Sequence, residues 1–309
     1  VPLVPYPWQR ERAWIPARGR VLKGLDGGDV HPLLGARIRS AGQTAEFECE
    51  ISGRAAGPLA DHQVYGSIVA PGASHIARMI TAVHATFGSD HFELRDVAFP
   101  EALVIRPDES RTVHAVIGDD GCRVASLSDN RWTTHASCRV DLESSAPAAI
   151  PAHEHQPPRE MAASDLYEWL WNVGLHLGPQ YRWVEEIWRG EREVLGRMRR
   201  PTVDDEFDGG LIPGGLIDSC FQLLGAAESF EIQDGIAFVP ISVDAVRWFG
   251  LPEGRLWCRL THRPGTGAGG TAVADLQLFS ESGTVALEIA GLTVKRAPRD
   301  LFLRERGGL

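Results

Sequence analysis

Two polar residues lie where the surrounding pattern is apolar, and their types and settings could do acid–base chemistry. His62 belongs to "DHQVYGSIVAPGASHIARM" (61–79), at the end of a strand-like run. Gly66 follows it, and Pro71-Gly72 then opens a helical pattern. The first N–H groups of a helix lack internal partners, and the helix dipole favours negative charge there. A thioester carbonyl placed at Gly72 would be polarised, and the enolate formed from it stabilised. A neutral imidazole beside it is suited to remove the proton next to that carbonyl. On this run alone, a structural histidine closing a strand is the better reading. Asp218 lies in "LIDSCFQ" (216–222), directly after Ile217. A buried carboxylate is costly without a partner, and Gln222, four residues on, shares its helical face. Desolvation would raise the Asp218 pKa and keep it able to donate a proton to a leaving hydroxyl. An exposed helix stripe with Asp218 in water fits the segment equally well. Taken together, a base from the first half and an acid from the second suit removal of water from a β-hydroxyacyl compound.

These residues need elements to position them. "AEFECEIS" (45–52) and "RTVHAVIG" (111–118) alternate like half-buried strands. "GASHIARMITAVHATFG" (72–88) carries Ile76, Ile80, Val83 and Phe87 on one helical stripe. "ESSAPAAIPAHEHQPPRE" (143–160) holds four prolines and no periodicity, and so reads as a linker. A similar order then returns: a helix over 163–174, strands within 181–199, and a helix over 214–229 with Ile217, Phe221 and Leu224 on one face. Strand-like runs "WCRLTHR", "TAVADLQLFSES" and "TVALEIAGLTVKR" close the second unit. Each half reads as one long helix against an antiparallel sheet, which makes the chain α+β and not doubly wound α/β.

The 309 residues are 43% apolar and 23% charged, enough for a substantial core. A net charge of −10 argues against a general nucleic-acid binder. No apolar run is long enough to span a bilayer, and the proline-bearing start "VPLVPYPWQRERAWIPARGR" reads as an extended linker cut from something larger, without a secretory signal core. Five scattered cysteines without a CxxC pair suit reduced thiols in a cytoplasmic protein. "GTGAGG" (265–270) formally satisfies a dinucleotide fingerprint, but it joins two strand-like runs with no helix after it, and so reads as a hairpin loop. "HEH" (153–155) lies in the linker without distant ligands, so no metal is expected. No nucleophile elbow or P-loop is present. The basic run Arg189, Arg192, Arg197, Arg199 and Arg200 reads as a solvated strand face, with a dock for an acidic partner as the alternative.

At this point the chain resembles the dehydratase domains of modular polyketide synthases. "YPWQRERAWI" (6–15) is similar to the linker after an acyltransferase domain, and "HPLLG" (31–35) to the usual dehydratase opening. His62-x3-Gly66-x4-Pro71 fits the family's HxxxGxxxxP motif, Asp218-x3-Gln222 its DxxxQ/H motif, and "LFSESGTVALEIAGLTVKRA" (278–297) its last strand pair. The resemblance implies a double-hotdog fold, a pseudo-dimer within one chain. It divides the sequence into a linker (1–30), an N-terminal hotdog (31–143), a linker (144–160), a C-terminal hotdog (161–297) and a C-terminal linker (298–309). It implies that His62 is the base and that Asp218, with Gln222, attends the departing hydroxyl. The substrate would be carried on the phosphopantetheine of an acyl carrier protein, with no metal or diffusible cofactor. Neighbouring synthase domains, and a homodimer by analogy, would be the other partners; neither nucleic acid nor membrane is expected. Pro71 and Gly72 would position the substrate, with the Gly72 N–H as oxyanion donor.

One motif departs from the pattern. The family's GYxYGPxF stretch stands here as "GLHLGPQY", Gly174 to Tyr181. Leu175 and Leu177 replace two tyrosines, Gly178 and Pro179 remain, and Tyr181 replaces phenylalanine. Neutral repacking is one reading. A pocket altered to fold a long acyl chain back on itself is the other, and it implies a dehydratase-cyclase that closes a cyclic ether by oxa-Michael addition. An enoyl isomerase and an inactive scaffold domain are further alternatives, and a hotdog thioesterase has no use for the acid.

Overall fold

The period-2 runs of the sequence become the strands of one long antiparallel sheet, built from two sets of seven. The structure, a computed structural model, describes residues 30–119, 121–143, 157–200, 209–228, 236–263 and 270–297. In the first half the order across the sheet is Val30–His31, Gly35–Ile38, Ala45–Ser52, Ser110–Gly118, Gly121–Ser128, Arg131–Asp141 and Phe92–Ala98. In the second half, counted from the opposite edge, it is Arg159–Ala162, Val184–Arg189, Glu193–Met198, Leu256–His262, Thr271–Ser280, Val285–Ala297 and Ala237–Trp248. Strands Phe92–Ala98 and Ala237–Trp248 pair antiparallel, with Val97 opposite Val243 and Leu94 opposite Val246, and so join the two halves. A second, small sheet holds Leu175–Leu177, His62–Val64, Ser67–Ala70 and Leu103–Ile105.

Three α-helices complete the described chain: α1 (Gly72–Phe87), α2 (Ala163–Asn172) and α3 (Gly214–Gln222). Helices α1 and α3 each follow a proline N-cap, Pro71 and Pro213, and each is succeeded by the strand that forms the junction between halves. A prolyl N-cap suits an extended residue before the first helical glycine. Gly88, in the left-handed region at φ 64°, ends α1. The expected stripe Ile76, Ile80 and Val83 is fully buried and Phe87 half-buried. The opposite face of α1 is buried too, because the sheet wraps one side and α3 lies beside the other. Gly214 makes that approach possible, since a Cβ there would lie 3.0 Å from Ser74 Cα. One core, including Phe47, Phe92, Leu166, Leu216 and Leu292, runs through both halves.

Two expectations need correction. The helix expected over 214–229 ends at Gln222 and tightens into a 3₁₀ turn, Leu223–Ala226. The tightening brings Gly225 against Trp169, where a Cβ would fall 2.1 Å from the indole ring. The segment expected as linker over 144–160 is extended at its end: Arg159 and Glu160 are strand residues opposite Arg189 and Trp188. Residues 144–156, with "HEH", lie outside the described residues, as do 1–29, 298–309 and all but the last glycine of "GTGAGG". The strands flanking that last motif pair with each other. All five cysteines are free, and no helix among the described residues is long and apolar enough to cross a membrane.

Candidate active site

His62 reaches the interior because a tight hairpin carries it there. Tyr65 and Gly66 both have positive φ, 50° and 78°, and link Val64 directly opposite Ser67. This is the two-residue turn whose twist suits a hairpin, and glycine tolerates it without cost. The less favourable geometry at Tyr65 comes with a twice-bonded hydroxyl, which donates to Ala297 O at 3.0 Å and accepts from Ala237 N at 2.9 Å. On its other side the His62 strand pairs with Leu175–Leu177, placing Leu177 opposite His62. Asp61 ties the two segments further, accepting from Gln180 N at 2.9 Å through Oδ2, while its carbonyl accepts from Gly178 N at 2.7 Å.

Asp218 enters from the other half, on α3. The N-terminus of that helix seats closely, since a Cβ on Gly215 would fall 1.9 Å from Gln180 O. Gln222 Nε2 donates to Asp218 Oδ2 at 2.7 Å and to Tyr181 O at 3.1 Å, so the helical i,i+4 pair is made as the spacing requires. Ser219 Oγ holds the same turn, donating to Tyr181 O and accepting from Trp183 N, each at 3.2 Å.

The two halves bring His62 Nε2 to 4.0 Å from Asp218 Oδ2, with both side chains buried. His62 Nδ1 lies 2.7 Å from Val69 O. A carbonyl only accepts, so Nδ1 carries the proton and Nε2 presents its lone pair towards the aspartate. Burial raises the Asp218 pKa above the usual carboxylate value, while His62 and Gln222 oppose the shift. In the neutral ring the Nε2 lone pair thus faces a carboxyl group whose pKa burial raises, across a gap too long for a hydrogen bond.

That gap opens into a cavity of about 390 Å³, a size suited to a small-molecule group. His62, Asp218, Gln222, Pro71, Gly72, Leu175 and Leu177 all line it. Gly72 is the first residue of α1, so its N–H has no intrahelical partner. A Cβ there would meet Pro240 at 2.9 Å and Phe99 at 3.1 Å, which explains a glycine at this place. The other three candidates do not line the cavity. Gly66 shapes the hairpin, and Pro179 starts the 3₁₀ turn Pro179–Tyr181. Tyr181 packs its ring 5.1 Å from that of His62, with its hydroxyl 2.9 Å from Ser74 Oγ.

Sequence reasoning passed over Asp61, Tyr65, His75 and His135. Asp61 and Tyr65 act through contacts with residues far along the chain, which leave no local pattern. His75 and His135 are buried histidines on the cavity wall, and only the position of His75, three residues after Gly72, offered a signal. The basic run is accounted for in part by ion pairing: Arg197 meets Glu185 and Glu186, and Arg199 lies 3.7 Å from Glu185. No group of three His, Cys, Asp or Glu side chains among the described residues is placed to hold a metal ion.

Comparison with known proteins bears on the family and the fold. Residues 31–131 match the family described as polyketide synthase dehydratase domain, and residues 145–304 the one described as polyketide synthase dehydratase N-terminal domain. Polyketide synthase PksL of Bacillus subtilis is 25% identical over 96% of this chain, which spans 7% of that protein. A mycocerosic acid synthase-like polyketide synthase of Mycobacterium tuberculosis is 26% identical over 92% of the chain, or 14% of its own length. The chain thus spans a small part of these relatives. Among solved structures, the dehydratase domain from the CurJ module of curacin polyketide synthase superposes with a TM-score of 0.81 at 29% identity, covering 89% of this chain and 99% of that one. The CurH dehydratase domain gives 0.78 at 25%, covering 89% and 100%. The fold is the double hotdog, and the chain belongs to the polyketide synthase dehydratase family.

Proposed function

We propose that this domain removes water from a β-hydroxyacyl thioester carried on an acyl carrier protein, giving the α,β-unsaturated thioester. The observation that carries the reading is the buried 4.0 Å approach of His62 Nε2 to Asp218 Oδ2, with Nδ1 committed to Val69 O. Nε2 takes the α-proton of the substrate, and the electrons move towards the thioester oxygen at the Gly72 N–H. As the carbon–carbon double bond forms, the β-carbon–oxygen bond breaks, and Asp218 donates its proton so that the hydroxyl leaves as water. The imidazolium and carboxylate that remain face each other, and one proton passing between them restores the starting state. Gln222 orients the carboxyl throughout. The thioester acidifies the α-proton, so the step draws on no metal or diffusible cofactor. The CurJ dehydratase has an inactive histidine-to-phenylalanine mutant, in keeping with a histidine-dependent reaction. The carrier protein and neighbouring synthase domains are the partners this reading requires.

A second reading is favoured by Leu175 and Leu177, which line the cavity beside His62 where the family pattern has tyrosines. In a wall without those hydroxyls an acyl chain can fold back, and a distal hydroxyl of the enoyl product can add to its β-carbon. His62 would take the hydroxyl proton as the oxygen bonds to the β-carbon, and the His62/Asp218 pair would return a proton to the α-carbon, closing a cyclic ether with no net change in protons.

Mass spectrometry of the protein with synthetic β-hydroxyacyl pantetheine thioesters, with and without a distal hydroxyl, tests both. A loss of 18 mass units marks dehydration, as expected from the elements of water, and chromatography of the isobaric products separates enoyl from cyclic ether. Full turnover by both His62→Ala and Asp218→Asn would rule out the assigned roles.

A further inference from the structure

The cavity wall holds polar side chains beyond those the reaction uses, and two of them are His75 and His135. His135 is satisfied: its Nδ1 lies 3.0 Å from Glu101 O and its Nε2 2.7 Å from Ser126 Oγ. His75 stacks parallel to it, ring centroids 6.0 Å apart, and is only 4% exposed. Among the described residues neither ring nitrogen of His75 has a hydrogen-bond partner. Packing does not require a polar group at this point, because the corresponding fourth residue of α3 is Ile217, fully buried. The His75 ring lines two cavities and its nitrogens are not sealed from them, so a donor and an acceptor stand ready for a polar group bound there.

Its position fits a substrate contact. His75 lies three residues after Gly72 on α1, so the two share a helical face about 5–6 Å apart. Its Cα–Cβ bond leans towards the helix N-terminus, and therefore towards the Gly72 amide. His75 also borders a second cavity of about 550 Å³, with Ala70 as the other residue common to both walls. An acyl chain whose thioester oxygen sits at Gly72 passes His75 a few carbons on. Burial, with His135 and Arg78 nearby, lowers the His75 pKa to about 3, so the ring is neutral at physiological pH. A neutral imidazole offers one N–H and one lone pair, the complement of a hydroxyl, which both accepts and donates.

We propose that His75 is a substrate-binding residue that hydrogen-bonds a further hydroxyl on the acyl chain, beyond the β-carbon, and so selects polyhydroxylated over plain acyl thioesters. This rests on the dehydratase reading. The test uses β-hydroxyacyl pantetheine thioesters of one chain length, bearing no further oxygen or a hydroxyl at the δ- or ε-carbon. In the wild-type domain kcat/KM is expected to be about tenfold higher for one hydroxylated substrate than for the plain one, the scale of a buried hydrogen bond. In His75→Leu that ratio falls to about one, mainly through KM, while His75→Gln, which keeps a donor and an acceptor, retains part of it. A wild-type ratio near one overturns the inference, as does a ratio unchanged in His75→Leu. Equal losses on both substrates in both variants, accompanied by a lowered melting temperature, show a packing role and also overturn it. Failure of the wild type to dehydrate any of the three substrates defeats the dehydratase reading itself, a result distinct from turnover without discrimination.

Discussion

His62 and Asp218 have different debts to their surroundings. The histidine depends on a directional contact with Val69 O for its tautomer, whereas burial raises the pKa of the aspartate. On the proposed roles, replacing His62 by alanine removes the base, and kcat for dehydration is expected to fall about 10²–10⁴-fold, read by product formation under saturating substrate. Asp218→Asn should also lower kcat while making the fold more stable at neutral pH. The sign follows from the raised pKa: the folded state disfavours the carboxylate, so wild type is penalised wherever the unfolded chain would be ionised. The penalty is absent below the unfolded carboxylate pKa, grows as pH rises from there to the folded one, and levels off above it. Melting temperatures of wild type and Asp218→Asn should therefore converge in acid and separate with the variant higher as pH rises. In the proposed reaction the same carboxyl acts in its protonated form, so wild-type turnover should decline as pH rises through the Asp218 pKa.

At the scale of elements, the site is held by close backbone seats. Gly215 at the start of α3 touches the turn at Gln180, and a methyl group there has no room. Gly215→Ala is expected to destabilise by about 1–3 kcal/mol through overpacking, seen as a lower denaturation midpoint with an unchanged denaturant slope. Helix α1 was legible in the sequence because its apolar stripe, its Pro71-Gly72 start and its terminal glycine all agree. The end of α3 was not, because it is set by Gly225 meeting Trp169, a residue more than fifty positions earlier in the chain. The strand at Arg159–Ala162 was hidden by the prolines before it. His62 and Asp218 could be named from residue type and setting. The hairpin anchors Tyr65 and Asp61 could not, since their partners Ala237, Ala297 and Gln180 are distant in sequence.

For the whole molecule, the continuous sheet and shared core decide how it unfolds. The junction between Phe92–Ala98 and Ala237–Trp248 buries Leu94, Val97, Val243 and Val246, so neither half has a complete surface alone. Calorimetry is expected to give a single transition with matching calorimetric and van't Hoff enthalpies. Residues 30–143 expressed alone should aggregate through the exposed strand edge. Which strands meet at this junction was not legible, because many alternating runs are equally able to pair.

The matching starts of α1 and α3 carry a consequence for ancestry and economy. Counting from Gly72 and Gly214, the fifth residue is Ile76 in one helix and Asp218 in the other. In a symmetric pair of identical units any acid placed there would occur twice, each copy bound to serve the same duty. Joining the units in one chain releases that constraint: one copy keeps a carboxyl group, and its counterpart becomes plain packing. Two similar units in one chain therefore leave room for one acid–base pair in the proposed reaction, while the equivalent position in the other helix serves packing.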